Sequence, residues 1–231
     1  MHTLLLILGL AATAGMVNAA PVTPPVQNQN LPNANDVYFS SVNYAGSGCP
    51  ISPPSAVVTF APDKTSFTVL FDQFVARTGP GVSYSEQRKN CQLTISVHVP
   101  GGWQYSIASA DFRGYANLED GVTGRQQSIY YFQGDQYTTV TQALIKGPTQ
   151  DNYSFRDQIV LTSTSWSPCG EERPLNINTA ILVNSRKKGA SGELTTDSVD
   201  GKVVQEYQFQ WKKCRSPLAS AEAVPDPDAG I

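Results

Sequence analysis

The chain has 231 residues, of which 40% are apolar, 10% aromatic and 15% charged, and its formal net charge is −3 at pH 7. The acidic excess lies entirely in the carboxy-terminal tail, at Glu222, Asp226 and Asp228, so residues 36 to 215 carry 16 basic and 16 acidic side chains and are neutral. A neutral body lacks the basic field from which a nucleic-acid binder gains by counterion release, and nucleic acid is excluded as a partner.

In chain order, Leu4 to Val17 is an almost unbroken run of apolar and small residues followed by Asn18, Ala19 and Ala20. The run is too short to cross a membrane comfortably, and Val17 and Ala19 place small residues where a signal peptidase reads them. Residues 1–19 are therefore expected to be a signal peptide cut after Ala19, and the protein to be secreted. Residues 20–35, "APVTPPVQNQNLPNAN", carry no charge and little to bury, and read as a mobile lead-in. Residues 36–215 have the size of one β domain. Residues 216–231, with Pro217, Pro225 and Pro227 among small and acidic residues, read as an acidic, disordered tail. No apolar run at that end signals a lipid anchor, and no second long apolar run occurs.

The body alternates with period two. Expected strands are Val57–Phe60, Ser66–Phe74, Gln92–Val99, Trp103–Phe112, Ser128–Gln133, Tyr137–Ile145, Gln158–Ser163, Asn176–Val183, Gly192–Val199 and Glu206–Trp211. In "QLTISVHV", Leu93, Ile95, Val97 and Val99 share one face while Thr94, Ser96 and His98 take the other. Gly134-Asp135 and Asp200-Gly201 supply the positive φ that tight hairpins need. Many short strands with such turns and no helical spacing give an all-β fold, an antiparallel β-sandwich that is jelly-roll-like.

In an oxidising compartment the widely spaced Cys49, Cys91, Cys169 and Cys214 read as disulfides rather than metal or redox thiols. Three pairings are possible. The expected one joins Cys49 to Cys91 and Cys169 to Cys214, so that each bridge closes a loop within one half of the chain.

The pieces "GSGCP" (46–50), "VLFDQFVARTGPG" (69–81), "RKNCQL" (88–93), "RGYANLEDGV" (113–122) and "YYFQG" (130–134) follow one another in an order and spacing that resembles the secreted family catalogued as domain of unknown function (DUF) 4360, best represented in fungi. The resemblance covers roughly Asp36 to Cys214. It implies a secreted, disulfide-bonded domain and brings no catalytic residue or ligand with it.

Chemistry must then come from the residues themselves. After signal removal His98 is the sole histidine, and no Gly-x-Ser-x-Gly elbow is present, so it reads as a surface residue rather than a catalytic base. One histidine with the thiols consumed furnishes no zinc or copper shell, and no cofactor is expected. The acids Asp72, Glu86, Asp111, Glu119 and Asp120 could supply a glycosidase pair. Turn and ion-pair roles explain them without a cleft, with Arg77 or Arg113 as partners of Asp72 and Asp111, and are the reading taken. The runs Arg186-Lys187-Lys188 and Lys212-Lys213-Arg215 read as solvated strand ends.

Ligand binding has two candidate places. Adjacent Tyr130 and Tyr131 must face opposite ways, so whichever is not core could stack on a sugar ring. Arg88 and Lys89 lie in the Arg77–Asn90 loop and could touch a surface. Asn152-Tyr153-Ser154 is the lone glycosylation sequon and reads as a surface loop. The reading is a secreted, non-enzymatic β-sandwich that binds extracellular polysaccharide or a host or neighbour surface, with possible cell-wall association. The alternative is a glycoside-active hydrolase using an Asp/Glu pair.

Overall fold

The computed structural model describes residues 31–136, 138–159, 166–196 and 205–214. The expected signal peptide, residues 20–30 of the lead-in, Arg215, the tail 216–231 and the Asp200-Gly201 turn lie outside them, as do Tyr137, 160–163 and 197–199 of the expected strands.

The described chain is an antiparallel β-sandwich without an α-helix. A front sheet holds β1 (Tyr38–Ala45), β5 (Arg88–His98), β10 (Leu175–Ser185), β7 (Val122–Phe132) and β8 (Thr139–Lys146), in that order. A back sheet runs β2 (Ala56–Phe60), β3 (Ser66–Phe71), β12 (Gln205–Lys213), β6 (Trp103–Leu118), β11 (Gly192–Thr195) and β4 (Val75–Thr78), with β9 (Thr149–Gln158) also paired to β6. The chain crosses between sheets at most steps from β4 to β11, which makes the fold jelly-roll-like.

Strand formation follows the alternation closely in β5, whose Cys91, Leu93, Ile95 and Val97 are fully buried while Gln92, Thr94, Ser96 and His98 are half-buried. β12 does the same from the other sheet with Gln205, Tyr207 and Phe209. The centre of the core is aromatic. Phe67 stacks on Tyr207 at 4.8 Å between ring centroids and lies 5.3 Å from Phe209, while Tyr105 meets Phe209 edge-on at 5.5 Å. Beside these rings a buried polar cluster joins the sheets. Thr179 Oγ1 of β10 accepts from Gln126 Nε2 of β7 at 2.8 Å and from Gln205 Nε2 of β12 at 3.2 Å, and the Tyr207 hydroxyl donates to Gln205 Oε1 at 2.6 Å. Such partners satisfy groups whose burial would otherwise cost about 1–3 kcal/mol each, and they fix strand register.

The disulfides are Cys49–Cys91 and Cys169–Cys214, the pairing expected. The first ties the loop after β1 to the middle of β5. That loop explains the Gly-Ser-Gly-Cys-Pro motif: a Cβ on Gly46 would stand 2.1 Å from the Asn90 carbonyl oxygen, so only glycine lets the chain lie against β5. Gly114, in the Arg-Gly-Tyr motif, is equally constrained, because a Cβ there would meet the Thr195 carbonyl oxygen at 2.0 Å.

Several boundaries differ from expectation. β1 has no counterpart in the sequence reading because its register shifts between Phe39 and Ser41, and this bulge breaks the alternation that marks a strand. β9 is also new: its ten residues are mostly polar, and only Tyr153 and Phe155 mark an inner face. The strand expected as Ser66–Phe74 ends at Phe71, and beyond the exposed Asp72 and Gln73 a separate strand, β4, begins at Val75. The strand expected to stop at Phe112 continues to Leu118, because β6 pairs with β12 along 103–112 and with β11 along 116–118.

Candidate functional site

The front sheet leaves one face turned away from the sandwich, and no strand of the described residues packs on it. Strand order decides what that face presents. Pairing sets Asn43 beside Thr94, Thr94 beside Asn176, and Asn176 beside Tyr131. In the next row Gln92 faces Asn178, Asn178 faces Ile129, and Ile129 faces Val140. The amides are held by one another: Thr94 Oγ1 donates to Asn176 Oδ1 at 2.8 Å and Asn178 Nδ2 donates to Gln92 Oε1 at 2.9 Å. Tyr38, Val140 and Leu144, exposed by 49%, 54% and 56%, stand on the same face. The face therefore offers apolar and aromatic surface between preset donors and acceptors, which is the combination that a sugar ring, apolar on its CH face and hydroxylated at its rim, can use.

The adjacent tyrosines separate as the alternation requires. Tyr130 is corrected to a core residue: it is 3% exposed and packs 6.2 Å from Tyr207, so no ligand reaches it. Tyr131 takes the outer face. Arg88 and Lys89 separate in the same way. Arg88 is exposed on the outer face opposite Leu182, with its Nη1 donating to Asn90 Oδ1 at 3.2 Å. Lys89 turns aside and binds Glu86 at 2.9 Å with its side chain only 16% exposed, so the two residues do not form one patch. Asn152 stands on the edge strand β9 and not in a loop. Its pairing with Tyr115 sets it on the outer face of the back sheet, on the opposite side of the molecule from Tyr131.

The candidate acids are dispersed, and all but the exposed Asp72 hold structural partners. Asp111 is chelated by Arg156, with Nε and Nη2 at 2.8 and 2.7 Å, so its partner is Arg156 and not Arg113. Glu119 accepts the Ser191 amide at 2.8 Å, Asp120 meets Lys187 at 3.1 Å, and Arg77 pairs with Glu193 rather than Asp72. His98 lies on the outer face, stacked on Tyr38 at 4.6 Å, with Nδ1 3.2 Å from Glu172 Oε1. The neighbouring Ser40 hydroxyl donates to the other oxygen of Glu172 and not to the imidazole, so the serine–histidine–acid order of a hydrolase is not assembled there. Among the described residues no group of three His, Cys, Asp or Glu side chains gathers as metal ligands. No helix of the described residues is long and apolar enough to cross a membrane.

Asp157 was not singled out by the sequence, and nothing in its local pattern does so. It points between the sheets from β9, where burial raises its carboxyl above the usual range. Its ionised form is thus disfavoured in the fold. The contribution of this group to stability is fully present below the unfolded value of 3.8 and falls as pH rises through the raised folded value. Asp157→Asn should therefore raise the melting temperature near about pH 7 and leave it little changed near about pH 3, by thermal scans at both. A gain of equal size at both pH values would show that the charge is not the cause.

The described residues form a disulfide-bridged antiparallel β-sandwich with one uncovered, amide-rich sheet face. The chain belongs to the family described as "Domain of unknown function (DUF4360)", whose model matches residues 35–214. A relative in Arthroderma benhamiae, described as an uncharacterized secreted protein, is 44% identical over 206 residues, or 89% of this chain and 83% of the relative. The chain is a secreted protein, as that relative is. Among solved structures, TmCBM61 in complex with β-1,4-galactotriose has 10% identity and a TM-score of 0.29, covering 76% of this chain and 90% of that one. The enzymatically active domain of bacteriophage CBA120 tailspike protein 4 has 12% identity and a TM-score of 0.21, covering 79% and 20%. Likeness at these levels does not define a shared function.

Proposed function

We propose that the protein binds extracellular polysaccharide on the outer face of the front sheet and performs no chemistry on it. The observation that carries this reading is the uncovered face itself, where Tyr131, Ile129 and Val140 interleave with the mutually hydrogen-bonded Gln92, Thr94, Asn176 and Asn178. Side chains already held by their neighbours lose little conformational freedom on binding, and preorganisation of this kind is a main source of affinity. Exposed apolar surface rimmed by polar groups is also what binding faces present. A glycan on Asn152 would point away from this face and leave it open.

The test is incubation of the purified protein with insoluble glucan, chitin and mannan, measuring pelleted protein and released reducing sugar. At least one polysaccharide should pellet the protein without sugar release. Tyr131→Ala should weaken retention by up to about tenfold, the scale of one aromatic contact, with an unchanged melting temperature. Retention unaltered by Tyr131→Ala would move the site off this face. Sugar release abolished by Asp72→Asn or Asp111→Asn would replace the binding reading with a hydrolytic one.

A further inference from the structure

The front sheet has a charge pattern that the neutral balance of the body conceals. None of its strands contains an aspartate or glutamate; in the back sheet β6, β9, β11 and β12 do, while the short β2, β3 and β4 do not. Its cations gather toward one end of the outer face. Register sets Arg88 opposite Leu182, Leu182 opposite Arg125, and Arg125 opposite Leu144, so one row across β5, β10, β7 and β8 alternates guanidinium and leucine. In the next row Lys146 faces Thr123, and Arg186 follows directly after β10. Arg125, Lys146, Leu144, Leu182 and Arg186 line a single depression of about 510 Å³.

These cations have no acid partner among the described residues. The ion pairs among the described residues involve Arg77, Lys89, His98, Arg156 and Lys187, and none involves Arg88, Arg125, Lys146 or Arg186. Asp120, in the turn beside β7, is already held by Lys187. Guanidinium groups cannot shed their charge, and their planar forks match carboxylates. Like charges crowded on a sheet without counter-charge repel one another, a cost that a bound polyanion removes.

We infer that this end of the face binds a polyuronate, a polysaccharide whose rings carry carboxylates. The inference rests on the polysaccharide reading above and names the chemical class within it. Arg88 and Arg125 are separated by two strand spacings, about 10 Å, with Leu182 between them, a distance on the scale of a disaccharide. The leucines offer apolar ground for ring faces, and the guanidinium groups meet one carboxylate at a time. A phosphate, with more charge on one centre, calls instead for several cations converging on a point.

Purified full-length protein is run in affinity gels containing polygalacturonate, the same polymer fully methyl-esterified, neutral glucan, or dextran sulfate. Polygalacturonate is expected to retain the protein more strongly than its ester does. Arg125→Gln and Lys146→Gln should each weaken that retention roughly fivefold, the upper scale of an exposed ion pair, without changing the melting temperature or neutral-glucan binding. Added salt should reduce the carboxylate preference, since charges more than about 10 Å apart are screened at 0.1 M ionic strength. Equal retention by ester and acid, or retention by polygalacturonate unaltered in both variants, overturns the inference and leaves the polysaccharide reading standing. Retention by dextran sulfate as strong as by polygalacturonate overturns it in favour of unspecific polyanion attraction. No retention by any of the four polymers overturns the inference as well, and the polysaccharide reading falls with it only if chitin and mannan also fail to pellet the protein.

Discussion

Phe67→Ala is expected to lower the free energy of unfolding by about 3–5 kcal/mol, at the top of the range for a single core truncation. The ring is fully buried on β3 and touches both the sheet partner and the opposite layer: Tyr207 at 4.8 Å, Phe209 at 5.3 Å and Phe39 edge-on at 5.9 Å. Removing it leaves a cavity walled by other rings, which cannot close it without leaving their own stacked positions. The loss combines transfer of the ring to water with those unmade contacts. Urea denaturation of the variant measures it, with Val57→Ala on β2 as a control, since Val57 is 57% exposed and its truncation should change stability by less than about 0.5 kcal/mol. A Phe67 variant within about 1 kcal/mol of the parent would mean that the core collapses around the gap.

Removal of the Cys49–Cys91 bridge should be nearly as damaging. The bridge spans 42 residues, and the chain-entropy model assigns such a loop about 4 kcal/mol, with measured bridges usually nearer 2–4. Cys169–Cys214 spans 45 residues and should count the same on that model. The environments differ, however. Cys49 and Cys91 are fully buried, whereas Cys169 is exposed and Cys214 half-buried. Thiol exchange depends on access to sulfur. Mild reductant should therefore open Cys169–Cys214 first, leaving a folded, less stable protein, and Cys49–Cys91 only on unfolding. Cys49→Ala with Cys91→Ala tests the first bridge better than serine, which would bury two hydroxyls. Simultaneous labelling of all four thiols by mass spectrometry would contradict the order.

Much of the architecture can be read from the sequence because burial on one face of a strand writes itself into alternate residues. β5, β10 and β12 follow that rule, and the disulfide pairing follows from loop closure within each half. β1 escapes because its bulge shifts the phase by one residue, and β9 because its inner face carries only two rings among polar residues. The outer face of the front sheet is harder to read, for a different reason. Alternation says that Tyr131 or Tyr130 points outward, yet only register places Tyr131 next to Asn176 and Arg125 next to Leu182, residues some fifty positions apart. The basic run at Arg186 reads as a solvated strand end when seen alone, and becomes part of a cluster once β7 and β8 lie beside β10. Absence of acids from the front sheet leaves no clear local signal, since the back-sheet strands β2, β3 and β4 lack them as well and only pairing sorts the strands into sheets.

The bridge at Cys49 also governs what the protein can do with a second copy of itself. β1 is an edge strand at the amino-terminal end of the described chain, and an edge strand followed by a short loop is the element that copies of a protein most readily exchange. Exchange would require the segment after β1 to swing out as a hinge, but that segment is welded to the middle of β5 four residues after β1 ends. The oxidised chain is therefore locked as its own partner, and the rim of the front face, with Tyr38 and Asn43, cannot be lent to a neighbour while the bond remains closed.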